Sequence, residues 1–163
     1  LLEDGGTRFA SLSAVDLPAR MGVLQEMLLH PDTVTGLSDA GAHVTLICDG
    51  SMPTTQLAYW TRDREKGEKI PIEYIVRKQT ALNAQLYGFD DRGALEQGKK
   101  ADVNVIDMDN LRVSPPVPHH DLPTGGTRLM QPVTGYINTL CNGISVREFD
   151  LDTGDRPGRL VRS

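Results

Sequence analysis

The chain has 163 residues, of which 39% are hydrophobic and 24% are charged, a composition typical of a globular protein and not of a disordered one. Its 17 basic and 22 acidic residues leave a net charge of −5, which argues against general nucleic-acid binding and against a membrane-surface protein. The two cysteines are too few for a disulfide framework, and neither a signal peptide nor a run of about 20 apolar residues stands out. We therefore expect a cytoplasmic protein.

A helix and two apolar runs are predicted near the start of the chain. Residues 18–30 carry apolar side chains at helical spacing, and this helix should end where His30 meets Pro31, because a residue before proline avoids the α region. The β-branched run TVTGLSD (33–39) then predicts a short buried strand. The run VTLIC (44–48) is compatible with a strand or a helix.

Two more helices are predicted before residue 90. The first covers residues 53–66, with Pro53 in its first turn and Gly67 after its end. The charges RDREKGEK (62–69) are typical of a solvated helix end. The second helix begins near Pro71 and continues to about Leu86.

The later part of the chain has the residue pattern of β-strands connected by turns. ADVNVID (101–107) alternates as a half-buried strand does, and SPPVPHHDLPTGG (114–126) predicts a loop. The segments RLMQ and VTGYINTLC are predicted strands. Asn142 and Gly143 favour a type I′ hairpin turn, which needs positive φ at both central residues. The pattern alone predicts a protein with both helices and strands.

Asp39 is the most informative polar residue. It follows a predicted buried strand and precedes a glycine-bearing turn, and chemistry in parallel α/β folds lies at such strand ends. A carboxylate there can bind a divalent metal ion and accept a proton from water. The alternative is a structural Asp that closes an Asx turn or caps the next helix.

The histidines do not form a recognisable zinc motif. His43 lies near Asp39 in sequence and is either a pocket residue or an ordinary hydrogen-bonded histidine. His119 and His120 are neighbours that would point to opposite faces of an extended chain, so we expect them in a surface loop. His30 is expected to stabilise a helix C-terminus, and Cys48 to be a buried structural thiol.

The segment HPDTVTGLSDAGAH (30–43) resembles the signature of the D-aminoacylase branch of the amidohydrolase superfamily, whose members are N-acyl-D-amino-acid deacylases. Further blocks match in the same order, and together they cover most of residues 30–162. These blocks are SMPTTQLAYWTRDR (51–64), DRGALEQGKKADVNVID (91–107), DLPTGGTRL (121–129), GYINTLCNG (135–143) and TGDRPGRLVR (153–162).

This resemblance implies a fold of two parts. Residues 1–90 would supply the last strand (33–39) and helices of a metal-dependent (β/α)8 hydrolase barrel. Residues 91–163 would supply the C-terminal strands of a small β-sandwich.

The resemblance also implies a reaction. The enzyme would use zinc to hydrolyse the amide bond of an N-acyl-D-amino acid, a small-molecule substrate. Asp39 would contact the metal and act as general base, and Ser38, Gly41 and His43 would line the substrate pocket.

Other elements of the family pattern have no counterpart in these residues. The family's early H-x-H strand, its bridging Cys or Lys and its two later histidine ligands are not found. A complete barrel takes about 250 residues. We therefore expect this chain to be the C-terminal portion of a larger enzyme. On its own, the chain should be inactive and should retain no zinc. Because its barrel and sandwich strands would lack neighbours, we expect a homodimer or a higher oligomer.

Two alternatives stay open on the sequence. The chain could be a non-catalytic structural or oligomerisation module, since one carboxylate does not hold zinc tightly. It could instead belong to an amidohydrolase of another substrate class, such as one resembling hydantoinase or dihydroorotase.

Overall fold

The structure is a computed structural model that describes residues 17–36 and 49–161. Within these ranges the helices precede the strands along the chain. The helices are α1 (Leu17–Leu29), α2 (Met52–Ala58), α3 (Ile72–Gln79) and α4 (Ala81–Leu86). The strands are β1 (Val103–Ile106), β2 (Arg112–Val113), β3 (Val117–His119), β4 (Arg128–Met130), β5 (Val133–Thr134), β6 (Tyr136–Cys141), β7 (Ile144–Glu148) and β8 (Leu151–Asp152).

The predicted first helix is confirmed, and the second is shorter than predicted. α1 ends at Leu29, two residues before Pro31. α2 continues as a π-helical turn that ends at Asp63, and Arg64 is extended instead of helical as expected. The Arg64 N–H donates to the Tyr59 carbonyl at 2.9 Å, the wider hydrogen bond of a π-helical turn.

The predicted third helix is divided at Thr80, which separates α3 from α4. Its backbone leaves the α region (φ −121°, ψ −85°), and its hydroxyl donates to the Val76 carbonyl at 2.7 Å. A Thr hydroxyl that bonds the preceding turn competes with helix continuation.

The strand predicted over 33–39 is wrong in its described part, since residues 33–36 are not in a strand. Its last three residues lie outside the described ranges, as does VTLIC (44–48). Thr33 and Thr35 use their hydroxyls to bond helices, as described below, which replaces the regular bonds of a strand.

The larger sheet is antiparallel and has the strand order β1–β6–β7–β8. The predicted hairpin is confirmed: β6 and β7 pair across Asn142 (φ 52°) and Gly143 (φ 81°). The alternation predicted for β1 fails at Val105, whose side chain is 47% exposed. The pairing of β1 with β6 shifts register after Val105, and Ile106 packs against the core with Tyr136 instead.

The segment 114–126 is not a simple loop, because β3 lies within it and pairs with β4. The turn between these strands contains a bidentate ion pair. The Arg128 guanidinium donates to Asp121 at 2.8 and 2.6 Å and lowers the pKa of that carboxyl. His119 and His120 are exposed as expected, but the predicted loop is wrong for His119, which is the last residue of β3 and pairs with Arg128.

The core joins the helices to the β-rich residues. Its buried members are Leu57, Ala58, Trp60, Ile70, Ile75 and Leu111. Gly135 passes directly over Leu111 with φ +106°, and a Cβ there would lie 2.7 Å from the Leu111 Cα. Only glycine tolerates this approach, so the chain can turn from β5 into β6 beside the core.

The described helices include none that is both long enough and apolar enough to cross a membrane.

Candidate functional site

A cleft with a volume of about 830 Å³ lies between α1, α2 and α3. Gly36 and Ser51 both line it. In sequence, Gly36 precedes the segment that contains Asp39 and Cys48, and Ser51 follows it. The residues to which the resemblance assigns chemistry are thus attached at both ends to one wall.

Lys78 anchors the first of these two ends. Its side chain is 1% exposed, and its ammonium donates to the carbonyls of Leu28 and His30 and, at 2.7 Å, to the Thr33 hydroxyl. An ammonium has three N–H donors, so all are used. Burial lowers the pKa of Lys78, because removal from water disfavours its charged form.

These contacts also close the C-terminus of α1. The last carbonyls of a helix lack partners within the helix and carry partial negative charge. The Leu28 and Leu29 carbonyls accept from the Tyr74 hydroxyl at 3.3 and 3.0 Å, and the Met27 carbonyl accepts from Thr33 at 2.6 Å. Lys78 therefore serves as the cation at this helix end, a role predicted for His30.

His30 is exposed, and its imidazole does not supply the expected cation at the C-terminus of α1. Its Nδ1 accepts a hydrogen bond from the backbone N–H of Asp32 at 3.2 Å. The His30 carbonyl, rather than its imidazole, holds the helix end by accepting from Lys78 at 3.3 Å.

The next residues are bound to α3 and α4. The Thr35 hydroxyl donates to the Lys78 carbonyl at 3.1 Å and accepts from the Asn83 amide at 3.0 Å. Thr33 and Thr35 thus fix the path of the chain up to Gly36, three residues before Asp39.

The residues that follow the segment 37–48 are bonded to the β-rich part of the chain. The Ser51 hydroxyl bonds the Gln131 side-chain oxygen, and the Thr54 and Tyr136 hydroxyls lie 2.8 Å apart. Ser51 and Thr54 are both buried. The start of α2 is therefore tied to the strands as well as to the helices.

The predicted site residues themselves are not described. Ser38, Asp39, Gly41 and His43 lie outside the described ranges, as does Cys48. Their placement stays a prediction, and the observed geometry is that of the residues that flank them.

The charged run at 62–69 is not simply solvated as expected, since Arg64 is 5% exposed. Its guanidinium lies 4.7 Å from the Trp60 ring centre and donates to the Lys66 carbonyl and the Gln25 side chain, each at 2.7 Å. Stacking and hydrogen bonds together stabilise a buried guanidinium.

A second cleft, of about 500 Å³, lies beside the π-helical turn. Arg62 lines it and donates to both Asp63 oxygens, at 2.6 and 2.8 Å, and to the carbonyls of Met108 and Leu111. The Arg62 guanidinium lowers the pKa of Asp63. Because four contacts occupy this guanidinium, we interpret it as a structural link between the helices and the strands.

Comparison with known families decides the superfamily. The sequence model of the amidohydrolase family matches residues 16–147. The chain belongs to the amidohydrolase family. This amidohydrolase match spans the cleft, its anchoring residues and the segment that contains Asp39. No curated protein and no solved structure matches the chain significantly.

Family membership identifies a hydrolase of this superfamily and leaves the substrate open. In the described part of this amidohydrolase, no three His, Cys, Asp or Glu side chains come together as a metal site. Lys78, which sequence reasoning missed, has a recognisable signal: it falls three residues after Ile75 on the buried stripe of α3.

We expect Lys78→Met to lower the free energy of unfolding by about 2–4 kcal/mol, because it removes three hydrogen bonds from a charged donor to the end of α1 and Thr33. Arg77→Met changes the exposed neighbour on the same helix and should cost less than about 0.5 kcal/mol. Urea unfolding of both variants measures the difference. Equal stability of the two would show that Lys78 does not anchor the end of α1.

Proposed function

We propose that the whole protein hydrolyses the amide bond of N-acyl-D-amino acids. The observation that carries the proposal is the amidohydrolase match over residues 16–147, which contains the signature-like segment HPDTVTGLSDAGAH (30–43). The branch and the substrate are inferred from the resemblance of that segment and of the later blocks.

In the proposed reaction Asp39 moves the proton. A water molecule attacks the amide carbonyl, and an oxygen of the Asp39 carboxylate accepts the proton that the water loses. When the C–N bond breaks, Asp39 returns this proton to the leaving amine nitrogen. The products are a carboxylate and a D-amino acid.

The anchored cleft supports the proposal because Gly36, which is three residues before Asp39 in sequence, lines it. In the proposal Ser38, Gly41 and His43 line the substrate pocket next to it.

Zinc belongs to the proposal through the family resemblance. The described residues do not fit a zinc site, since they contain no cluster of three possible ligands. Within this chain the proposal assigns Asp39 alone to the metal, and zinc, when bound in the whole enzyme, would polarise the substrate carbonyl.

The 163-residue chain should therefore purify with well under one zinc ion per molecule, because one carboxylate binds zinc weakly. Elemental analysis after dialysis against a chelator measures the content. Stoichiometric zinc that survives dialysis would contradict this assignment.

Asp39→Asn in the whole protein keeps the shape of the side chain but removes the proton acceptor. We expect kcat for N-acetyl-D-leucine to fall by roughly 10²–10⁴ with little change in stability. Asp32→Asn, which changes an exposed carboxylate seven residues earlier in the sequence, is the control and should keep its kcat. Wild-type turnover in Asp39→Asn would remove Asp39 from the mechanism.

The proposal also includes the barrel, the sandwich and a homodimer. The β1 edge opposite β6 has no partner strand in the described part of the chain. Its sequence, Val-Asn-Val-Ile, has neither charge nor proline to protect a free edge. A second copy of the chain would supply the missing strand.

Light scattering at micromolar concentration should give twice the chain mass of 17.8 kDa. Val105→Lys places a charge in β1 and should shift the chain toward monomer, because lysine disfavours edge pairing. Leu95→Lys alters an 82% exposed residue away from the strands and is the control. A monomeric wild type would rule out the dimer.

A further inference from the structure

The hairpin turn between β6 and β7 carries the one Asn-Gly pair in the sequence, Asn142 and Gly143. Both residues are exposed to solvent. Asparagine is chemically labile because the backbone nitrogen of the next residue can attack its side-chain amide. Glycine hinders that attack least, since it has no side chain. The proposed function assigns no role to this turn.

The reaction that this pair permits is deamidation. The Gly143 nitrogen loses its proton to water and forms a bond to Cγ of Asn142. The Cγ–Nδ2 bond breaks, and Nδ2 leaves as ammonia with a proton taken from water. A second water molecule then opens the cyclic imide at either of its carbonyls, so the product is aspartate or isoaspartate. Either product places a carboxylate where the chain has a neutral amide.

The nitrogen that would attack is hydrogen-bonded in the folded chain. The Gly143 N–H donates to the Ala101 carbonyl at 2.9 Å, and the Asn142 N–H donates to the Asp102 carboxylate at 2.7 Å. Both acceptors lie just before β1. A backbone N–H in such a bond becomes available only when the bond opens. Attack on Asn142 therefore requires residues 101–102 to separate from the turn.

Asp102 is the charged acceptor of this contact, and it is itself held in place. Arg92 donates to the second Asp102 oxygen at 3.1 Å and to the Asp91 carboxylate at 2.9 Å. The Arg92 guanidinium also lies 5.9 Å from the centre of the Phe89 ring. A hydrogen bond to a charged acceptor is stronger than one to a neutral carbonyl. Asp102 therefore stabilises the closed turn more than the Ala101 carbonyl does.

We propose that Asn142 is a site of spontaneous deamidation and that Asp102 sets the rate by keeping the turn closed. The reaction proceeds when residues 101–102 open from the hairpin. Its product weakens the same contact, because a carboxylate on residue 142 repels the Asp102 carboxylate. Isoaspartate also lengthens the backbone of the turn, which disturbs the pairing of β6 with β7.

Incubation of the 163-residue chain in mildly alkaline buffer, followed by peptide mapping, measures deamidation at Asn142. Asp102→Ala should raise the rate at least about fivefold, because it removes a hydrogen bond to a charged acceptor. Asp109→Ala changes an exposed carboxylate beyond the opposite end of β1 and should leave the rate unchanged. Asn142→Gly should abolish the signal and keep the turn, since Gly-Gly also favours type I′.

Equal rates in Asp102→Ala and the wild type would overturn the proposal. A wild-type rate in buffer as high as that of the chain unfolded in urea would overturn it too, because the closed turn would then give no protection.

Fluorescence of Trp60 separates local opening from unfolding, because Trp60 is the one tryptophan in the sequence and lies in the core. Asp102→Ala should keep the wild-type spectrum. If that variant unfolds, Asp102→Asn takes its place, since it keeps an acceptor oxygen and loses only the charge. Its deamidation should be at least about threefold faster than that of the wild type, and a wild-type rate would contradict the role of Asp102.

Discussion

The buried ammonium of Lys78 is the interaction on which the rest of the candidate site depends. Lys78 belongs to α3, and its three hydrogen bonds connect that helix to the C-terminus of α1 and to Thr33. A lone buried charge is costly, but here two carbonyls at the end of α1 and the Thr33 hydroxyl accept its three hydrogen bonds. The path of the chain toward Asp39 follows from this arrangement.

The second constraint is the packing and hydrogen bonding of the helices against the β-rich part of the chain. Leu111 fills the core beside Trp60, and it can do so because Gly135 presents no Cβ to it. Ser51 and Thr54 then bond Gln131 and Tyr136, which fixes the start of α2 against the strands. Both ends of the segment around Asp39 are therefore held by packed structure.

Features set by local chemistry could be predicted from the sequence. Pro31 ends α1, and Asn142 and Gly143 form the hairpin turn, because in each case a few adjacent residues restrict the backbone. The family was likewise readable, since the segment 30–43 carries a specific motif and the amidohydrolase match confirms that level of the prediction.

Features set by tertiary contacts could not be predicted from local pattern. Arg64 reads as a solvated charge, yet its environment is the face of Trp60 and the side chain of Gln25. Thr33 and Thr35 read as β-branched strand residues, yet their hydroxyls bond the end of α1 and α3. In each case the partner lies far away in sequence or on another element.

The central claim is that this amidohydrolase cleaves N-acyl-D-amino acids. The most direct measurement is the release of free leucine by the whole protein from N-acetyl-D-leucine and from N-acetyl-L-leucine. The account predicts a kcat/KM at least about 100-fold higher for the D enantiomer. Equal hydrolysis of both enantiomers, or activity confined to cyclic amides such as hydantoin and dihydroorotate, would contradict it.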